Sequence, residues 1–219
     1  EIAMSADGIQ QMATKVDGES NSTGGGELWQ SDDRGNTWER ADLSGVKPPW
    51  HQFRRGGLAM SSDGVYRYYT YKNSVVRSND SGKTWTNIPC DNGTNNIGIA
   101  VSVDGKHVTV GTGEGQVSVS SDFGITYTPR GPITSSRSVS INSDGSFQMS
   151  VGFYNGGSEG AIYTTTDYWL SSNNWTQHIT NIKFWILGAM SLDGSILLVK
   201  SQGGSVYMST NRGANWNVN

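Results

Sequence analysis

A chain of 219 residues can hold one large all-β domain or two small cores, and is too long for a disulfide-stapled miniprotein. With 16 Lys and Arg against 19 Asp and Glu the formal charge is -3, and no like-charge run exceeds Asp32-Asp33 or Arg54-Arg55, which argues against a duplex nucleic-acid binder. The longest apolar stretch, Phe184 to Met190, falls far short of the ~20 residues that cross a bilayer, so membrane insertion is not expected.

The lone Cys90 cannot make an internal disulfide or a cysteine-based metal site, and His51, His107 and His178 lie far apart in sequence. Glycine, at 29 residues, is about twice its usual ~7% share and announces many tight turns.

In chain order, one eight-residue box, Ser-x-Asp-x-Gly-x-Thr-Trp, returns five times. The first copy is Ser31, Asp33, Gly35, Thr37 and Trp38. The second is Ser78, Asp80, Gly82, Thr84 and Trp85, and the third is Ser120, Asp122, Gly124, Thr126 and Tyr127. The fourth has Asp167 but reaches Trp175 three residues late, which marks the most irregular corner. The fifth carries Ser209, Gly213 and Trp216 with Asn211 in place of the acid.

Upstream of each box a short apolar run ends in Ser-x-Asp-Gly or a close variant, at Asp7-Gly8, Asp63-Gly64, Asp104-Gly105, Asp144-Gly145 and Asp193-Gly194. Asp-Gly between apolar runs is a hairpin signal, because glycine tolerates positive φ and the Asp side chain accepts backbone N–H groups inside the turn. Each unit therefore holds two hairpins and four strands. In the third unit the strands read Ile97 to Ser102, His107 to Gly111, Gln116 to Ser120 and Thr126 to Pro129, with Val108, Val110, Val117 and Val119 alternating with polar residues as in half-buried strands. Helix-period patterns are absent. Four-stranded units repeated about every 44 residues predict an all-β, five-bladed β-propeller of antiparallel blades, one domain over 1–219 with blades near 1–41, 42–89, 90–130, 131–179 and 180–219.

The box itself reads as a structural corner: the Asp carboxylate takes turn N–H groups, glycine supplies the unusual φ, and the aromatic packs under the hairpin. These residues resemble the Asp-box, or bacterial neuraminidase repeat, found in sialidases, xyloglucan-degrading glucanases, a photosystem assembly factor and sortilin-type receptors. The paired form looks most like tandem repeats of secreted modular proteins with no assigned activity. The resemblance spans essentially the whole chain and implies a fold, since the box is shared by enzymes and non-enzymes.

It also implies that the boxes lie between third and fourth strands, on the face opposite the usual ligand site. The opposite face would be built from the 41–55, 89–96, 128–137 and 178–183 connections and the 16–27, 113–116, 154–160 and 201–204 loops. First strands such as 57–61, 97–102 and 185–191 would line a narrow axial channel.

A sialidase site needs three arginines, a Tyr–Glu pair and a further acid. Phe53-Arg54-Arg55-Gly56 lacks the Ile-Pro of the Phe/Tyr-Arg-Ile-Pro motif, and the usual six blades are not present. Four box and five turn aspartates have structural roles, and Glu1, Asp32, Glu39 and Asp42 fall near termini or box turns; Glu19, Glu27, Asp91, Glu114 and Glu159 stand as acids for the loop face. A glycoside hydrolase of sialidase-like or glucanase-like type would need two of these, such as Glu114 and Glu159, to converge. No nucleophile elbow, phosphate loop or zinc motif occurs, and no cofactor is required.

The favoured expectation is a non-catalytic extracellular binding or assembly module for a protein or glycan ligand. Trp50, His51, Arg54, Arg55, Arg130, Arg137, Lys183 and Trp185 supply stacking and carboxylate-gripping groups in or beside one class of connection. The alternative for each is packing on the propeller or pairing with acids. Sequons at Asn21, Asn92 and Asn174 permit glycosylation, with Asn79 inside a box the least suited. Only 217–219 and 1–6 join the last blade to the first, so either the ring closes by non-covalent pairing of short termini or the segment belongs to a longer chain. Self-assembly, as a bead of a surface filament, follows as an expectation.

Overall fold

The computed structural model describes residues 1–16, 26–46, 56–71, 73–90, 93–154, 160–166, 174–178 and 185–218. All regular structure among them is β. The first sheet holds β1 (Ile2–Met4), β2 (Gln11–Val16), β3 (Gly26–Ser31) and β4 (Glu39–Arg40), and the second β5 (Leu58–Met60), β6 (Arg67–Tyr71), β7 (Ser74–Ser78) and β8 (Thr86–Pro89). Then come β9 (Gly93–Val101), β10 (Val108–Ser120), β11 (Thr128–Ile141), β12 (Gln148–Tyr154), β13 (Gly160–Thr165) and β14 (Thr176–His178) in one six-stranded sheet, and β15 (Trp185–Met190), β16 (Leu197–Ser201), β17 (Val206–Ser209) and β18 (Asn217–Val218) in the last.

The third and fourth units are continuous because two strands change partner partway. In β10, Val108 to Gly115 pairs with β9 and Gln116 to Val119 with β11; in β11, Thr128 to Ile133 pairs with β10 and Thr134 to Ile141 with β12. Divided at those handovers, the chain is five four-stranded antiparallel blades in sequence order, the architecture of a five-bladed propeller. The hairpin β9 forms with β10 is longer than the sequence pattern announced, starting at Gly93 rather than Ile97.

Every Asp-Gly turn closes a first-to-second-strand hairpin. Asp63 illustrates it: its Oδ1 accepts the Ser61 hydroxyl at 2.6 Å and the Val65 N–H at 3.0 Å, while Gly64 takes φ 72° and donates to the Ser61 carbonyl at 2.9 Å. The core lies between blades. Met12 and Leu28 of the first blade pack with Leu58, Met60, Tyr69, Val76 and Trp85 of the second. Ala59, Tyr68 and Val75 meet Ile99, Val108 and Val110, and Phe147, Met149, Val151 and Ile162 meet Trp185, Leu197 and Val199.

Because each interior blade is covered on both sides, its second strand is buried throughout: Arg67 to Tyr71 has no exposed position. The second strand of the last blade instead alternates, with Leu197, Val199 and Ser201 buried and Leu198 and Lys200 exposed. On the first blade, Ile2 and Met4 of β1 are 71% and 56% exposed. The first and last blades thus each carry exposed apolar side chains on one outer face, and among the described residues β1 pairs with β2 and β18 with β17, so no strand pairing joins 1–6 to 217–218.

Candidate functional site

The box corners form one end of the propeller. In the third box Asp122 Oδ1 accepts the Ser120 hydroxyl at 2.7 Å and the N–H groups of Ile125 and Thr126 at 3.1 and 2.9 Å, and Oδ2 accepts the Thr126 hydroxyl at 2.6 Å. Asp33 and Asp80 hold the same serine and threonine partners. Asn211 keeps the acceptor role, taking the Ser209 hydroxyl at 3.0 Å and the Asn215 N–H at 2.8 Å.

The residue before the box glycine is itself left-handed, at φ 57–63° for Arg34, Ser81, Phe123 and Arg212. That conformation is unusual outside glycine. It turns the residue's N–H onto a carbonyl of the turn that leads into the second strand, as in Phe123 to the Lys106 carbonyl at 3.0 Å.

Donors converging on each carboxylate favour its charged form. The hydroxyl of Thr37 and then its N–H hold Asp33 below the ordinary carboxylate value. For Asp80 and Asp122 burial pushes the other way, but the threonine and serine donors outweigh it and both lie low. Among the turn aspartates Asp193 is held at about 2 by the Ser191 hydroxyl and the Ser195 N–H. These acids are ionised and committed to donors, which makes them poor proton-transfer groups at neutral pH.

The corner end is also occupied by ties between blades. Buried Arg67 donates from Nε to the Gly64 carbonyl at 3.0 Å, from Nη1 to Gln30 Oε1 at 2.9 Å and from Nη2 to Asp32 at 2.6 Å, the last two on the first blade. Tyr68 donates to the Gly105 carbonyl at 2.9 Å, Tyr66 stacks on Phe123 at 4.8 Å, and Arg212 lies over the Phe147 ring at 5.6 Å. Trp38 and Trp85 donate their indole N–H to the carbonyls of Gly35 and Gly82. In the irregular fourth box Trp175 reaches instead to the Arg130 carbonyl of the third blade at 3.1 Å; Asp167 lies outside the described residues.

At the opposite end the innermost strands carry a feature that the alternation did not announce. In β9, β11 and β15 the pairing with the second strand skips one residue: Ile97, Arg137 and Ile186. Each is the seventh residue before its turn aspartate, so the bulge is a repeated element. A bulge frees one residue from the ladder and re-aims it. Arg137 and Ile186 are exposed, on the strand nearest the axis and at its loop-face end. A slip in the two-residue alternation at a constant offset was the available signal, masked by the short runs.

Of the other predicted ligand residues, Trp50, His51, Arg54, Arg55 and Lys183 lie outside the described residues. Arg130 is half-buried within β11, in the part that forms the fourth strand of the third blade. The stacking role expected of Trp185 is corrected: its ring is 1% exposed, packed edge-on against Tyr207 with centroids 5.1 Å apart in the seam between the fourth and fifth blades. Wide apolar area drew it into the seam.

Among the loop-face acids, Glu27 accepts the Trp29 indole N–H at 3.0 Å and pairs with Arg40 at 3.4 Å and Lys15 at 3.8 Å. Glu114 sits on β10 opposite Thr94; Glu19, Asp91 and Glu159 lie outside the described residues. Of the sequons, Asn174 is exposed, and Asn21 and Asn92 lie outside the described residues. Among the described residues no group of three His, Cys, Asp or Glu side chains is arranged to hold a metal ion, and no helix is long and apolar enough to cross a membrane.

This is a β-propeller fold with box corners at one end and bulged inner strands at the other. Comparison with solved structures agrees. The chain superposes on a GH74 enzyme from Niastella koreensis with a TM-score of 0.73 and on the GH74 xyloglucanase from Xanthomonas campestris with 0.74, both at 19% identity, over 99% of this chain. It spans 37% of the length of either. It is also similar to YCF48 bound to a D1 peptide, at TM-score 0.64 and 17% identity over 100% of this chain and 66% of that one. A protein of the nidogen/laminin complex matches at 0.62 and 15% identity, over 94% and 77%. No protein-family model and no curated protein matches the chain.

Proposed function

We propose that this chain is a non-catalytic, extracellular recognition module of the Asp-box type, built to hold a protein or glycan ligand at the bulged, axial end of the propeller. The observation that carries the reading is the repeated bulge. It sets the exposed Arg137 and the apolar Ile186 on neighbouring innermost strands, a cation beside a greasy contact. That pair suits an acidic peptide or a sugar carboxylate, because guanidinium grips carboxylates bidentately and irregular positions on a rigid sheet are where ligands are met.

The neighbour bound to a D1 peptide and the neighbour in a nidogen/laminin complex support a protein ligand for a propeller of this kind. The GH74 neighbours share the fold at low identity, and the hydrolase reading stands as the competing outcome. Sugar on Asn174 would accord with a secreted protein.

A peptide array and a glycan array, run beside a panel of fluorogenic glycosides, separate the readings. Saturable binding that Arg137→Ala weakens about tenfold or more, with no glycoside turnover, is expected. Turnover abolished by Glu114→Gln or Glu159→Gln would replace the proposal with an enzyme.

A further inference from the structure

Counted back from the turn aspartate, the seventh and sixth residues of the innermost strand can be compared across the last four blades. The seventh is Gly56, Ile97, Arg137 or Ile186, and the sixth is Gly57, Gly98, Ser138 or Leu187. The fourth blade alone carries a cation at the first of these places, and it alone carries a hydroxyl at the second. Glycine or leucine meets the needs of the fold there, so a buried serine is a departure, and a buried polar group costs free energy unless it is bonded.

Ser138 is bonded. Its side chain is 9% exposed and faces the innermost strand of the fifth blade. The Oγ accepts the Gly188 N–H at 3.1 Å and donates to the Gly188 carbonyl at 3.1 Å, and the Ser140 hydroxyl donates to the same carbonyl at 3.2 Å. Gly188 allows the close approach, since a Cβ there would fall 2.7 Å from Val151 and 2.8 Å from Met149. On the other flank Ser136 is fully buried, with its hydroxyl 2.7 Å from that of Ser150. A bulge leaves its extra residue outside the ladder. Here the residues on both sides of Arg137 are tied, through Ser136 to the second strand of the same blade and through Ser138 to the fifth blade.

We propose that Ser138 is the positioning residue of the axial-end site: by clamping Gly188 it holds the bulge in one geometry, so that the Arg137 guanidinium meets a carboxylate ligand already aimed. The inference rests on the role proposed above for Arg137 and deepens it. Paired N–H···O bonds from guanidinium to carboxylate need a set direction as well as a charge, and a group fixed beforehand loses less freedom on binding. The chemistry recognised is the carboxylate, whether an acidic peptide or a sugar acid brings it.

A double-mutant cycle of Arg137→Ala and Ser138→Ala tests it, read by chemical-shift titration with acetyl-aspartyl-glycine amide and with methyl glucuronide, and with circular dichroism confirming that each variant is folded. Wild type is expected to bind one of the two probes, and the one bound names the source of the carboxylate. Arg137→Ala weakens that binding about tenfold or more. Ser138→Ala weakens it about fivefold, the worth of one hydrogen bond. The double variant binds no more weakly than Arg137→Ala alone, because Ser138 acts through the guanidinium. Ser138→Gly, which installs the residue of the second and third blades, shows the same loss as Ser138→Ala and guards against an alanine that disturbs the seam. Saturable binding of neither probe, or binding that Arg137→Ala leaves unchanged, would overturn the axial-end reading and this inference together. Binding that needs Arg137 yet is untouched by both Ser138 variants, or losses that add in the double variant as a purely structural serine would give, overturns the assignment of Ser138 and leaves that reading standing.

Discussion

Replacing Asp122 by alanine removes the keystone of an interior corner. Four hydrogen bonds end on this carboxylate, from Ser120, from the N–H groups of Ile125 and Thr126, and from the Thr126 hydroxyl. Ile125 and Thr126 are exposed and turn to water at little cost, whereas Ser120 is buried and loses its acceptor.

A bond to a charged partner is worth about 1.5–3 kcal/mol and a neutral one about 1 kcal/mol. With the exposed donors discounted, the loss comes to about 1–3 kcal/mol. For a chain of this size that lowers Tm by roughly 3–10 °C. Asp122→Asn should lose less than half as much, because Asn211 performs the same task in the fifth box with an amide oxygen. Thermal unfolding by circular dichroism, with ligand affinity measured on the folded variants, decides the matter. An unchanged Tm, or ligand binding abolished while Tm is unchanged, would refute the assignment of the corner to architecture.

The remaining predictions concern pH, packing and the axial end. Carboxylates depressed in the folded state contribute stability that is complete above their unfolded value of about 3.9 and is lost as pH falls through the folded value. With Asp193 at about 2 and Asp33, Asp80 and Asp122 also low, the urea midpoint should fall steeply between about pH 4 and pH 2. Burial of His107 and His178 holds both below 6.5. They favour the unfolded state once it protonates, so a shallower decline should begin near pH 6.5, and a flat profile would contradict both causes. Gly111→Ala would set a methyl 2.7 Å from the Ser136 carbonyl oxygen of the next blade; a loss of about 1–3 kcal/mol in chemical denaturation is expected from such overpacking. Arg137→Ala should weaken the selected ligand about tenfold or more in titration, with circular dichroism confirming that the variant is folded, because a guanidinium that grips a carboxylate is lost.

The strand hairpins were legible because their cause is local: Asp63-Gly64 and its four relatives carry both the acceptor and the φ-tolerant residue in two adjacent letters. The boxes were legible for the same reason, down to Asn211 standing in for an acid. What stayed hidden depends on neighbours far along the chain. Arg67 reads as a surface cation, and it is buried because Gln30 and Asp32 of the preceding blade receive it. Ser81 and Phe123 give no hint of positive φ, since the N–H of each is held by a carbonyl far along the chain, Val65 or Lys106, in the turn that leads into the second strand. Trp185 looked like a stacking platform in sequence, and only the fourth blade beside it shows that its ring belongs to a seam. Arg137 stands out in the sequence by its charge, while the bulge that presents it is visible only in the strand register.

Hydrogen–deuterium exchange of the protein with and without its selected ligand tests the division between the two ends most directly. Ligand-induced protection is expected in peptides covering 111–116 and 134–138, with the boxes at 31–38, 78–85 and 120–127 unchanged. Protection confined to those boxes, with the bulged strands unaffected, would contradict the account.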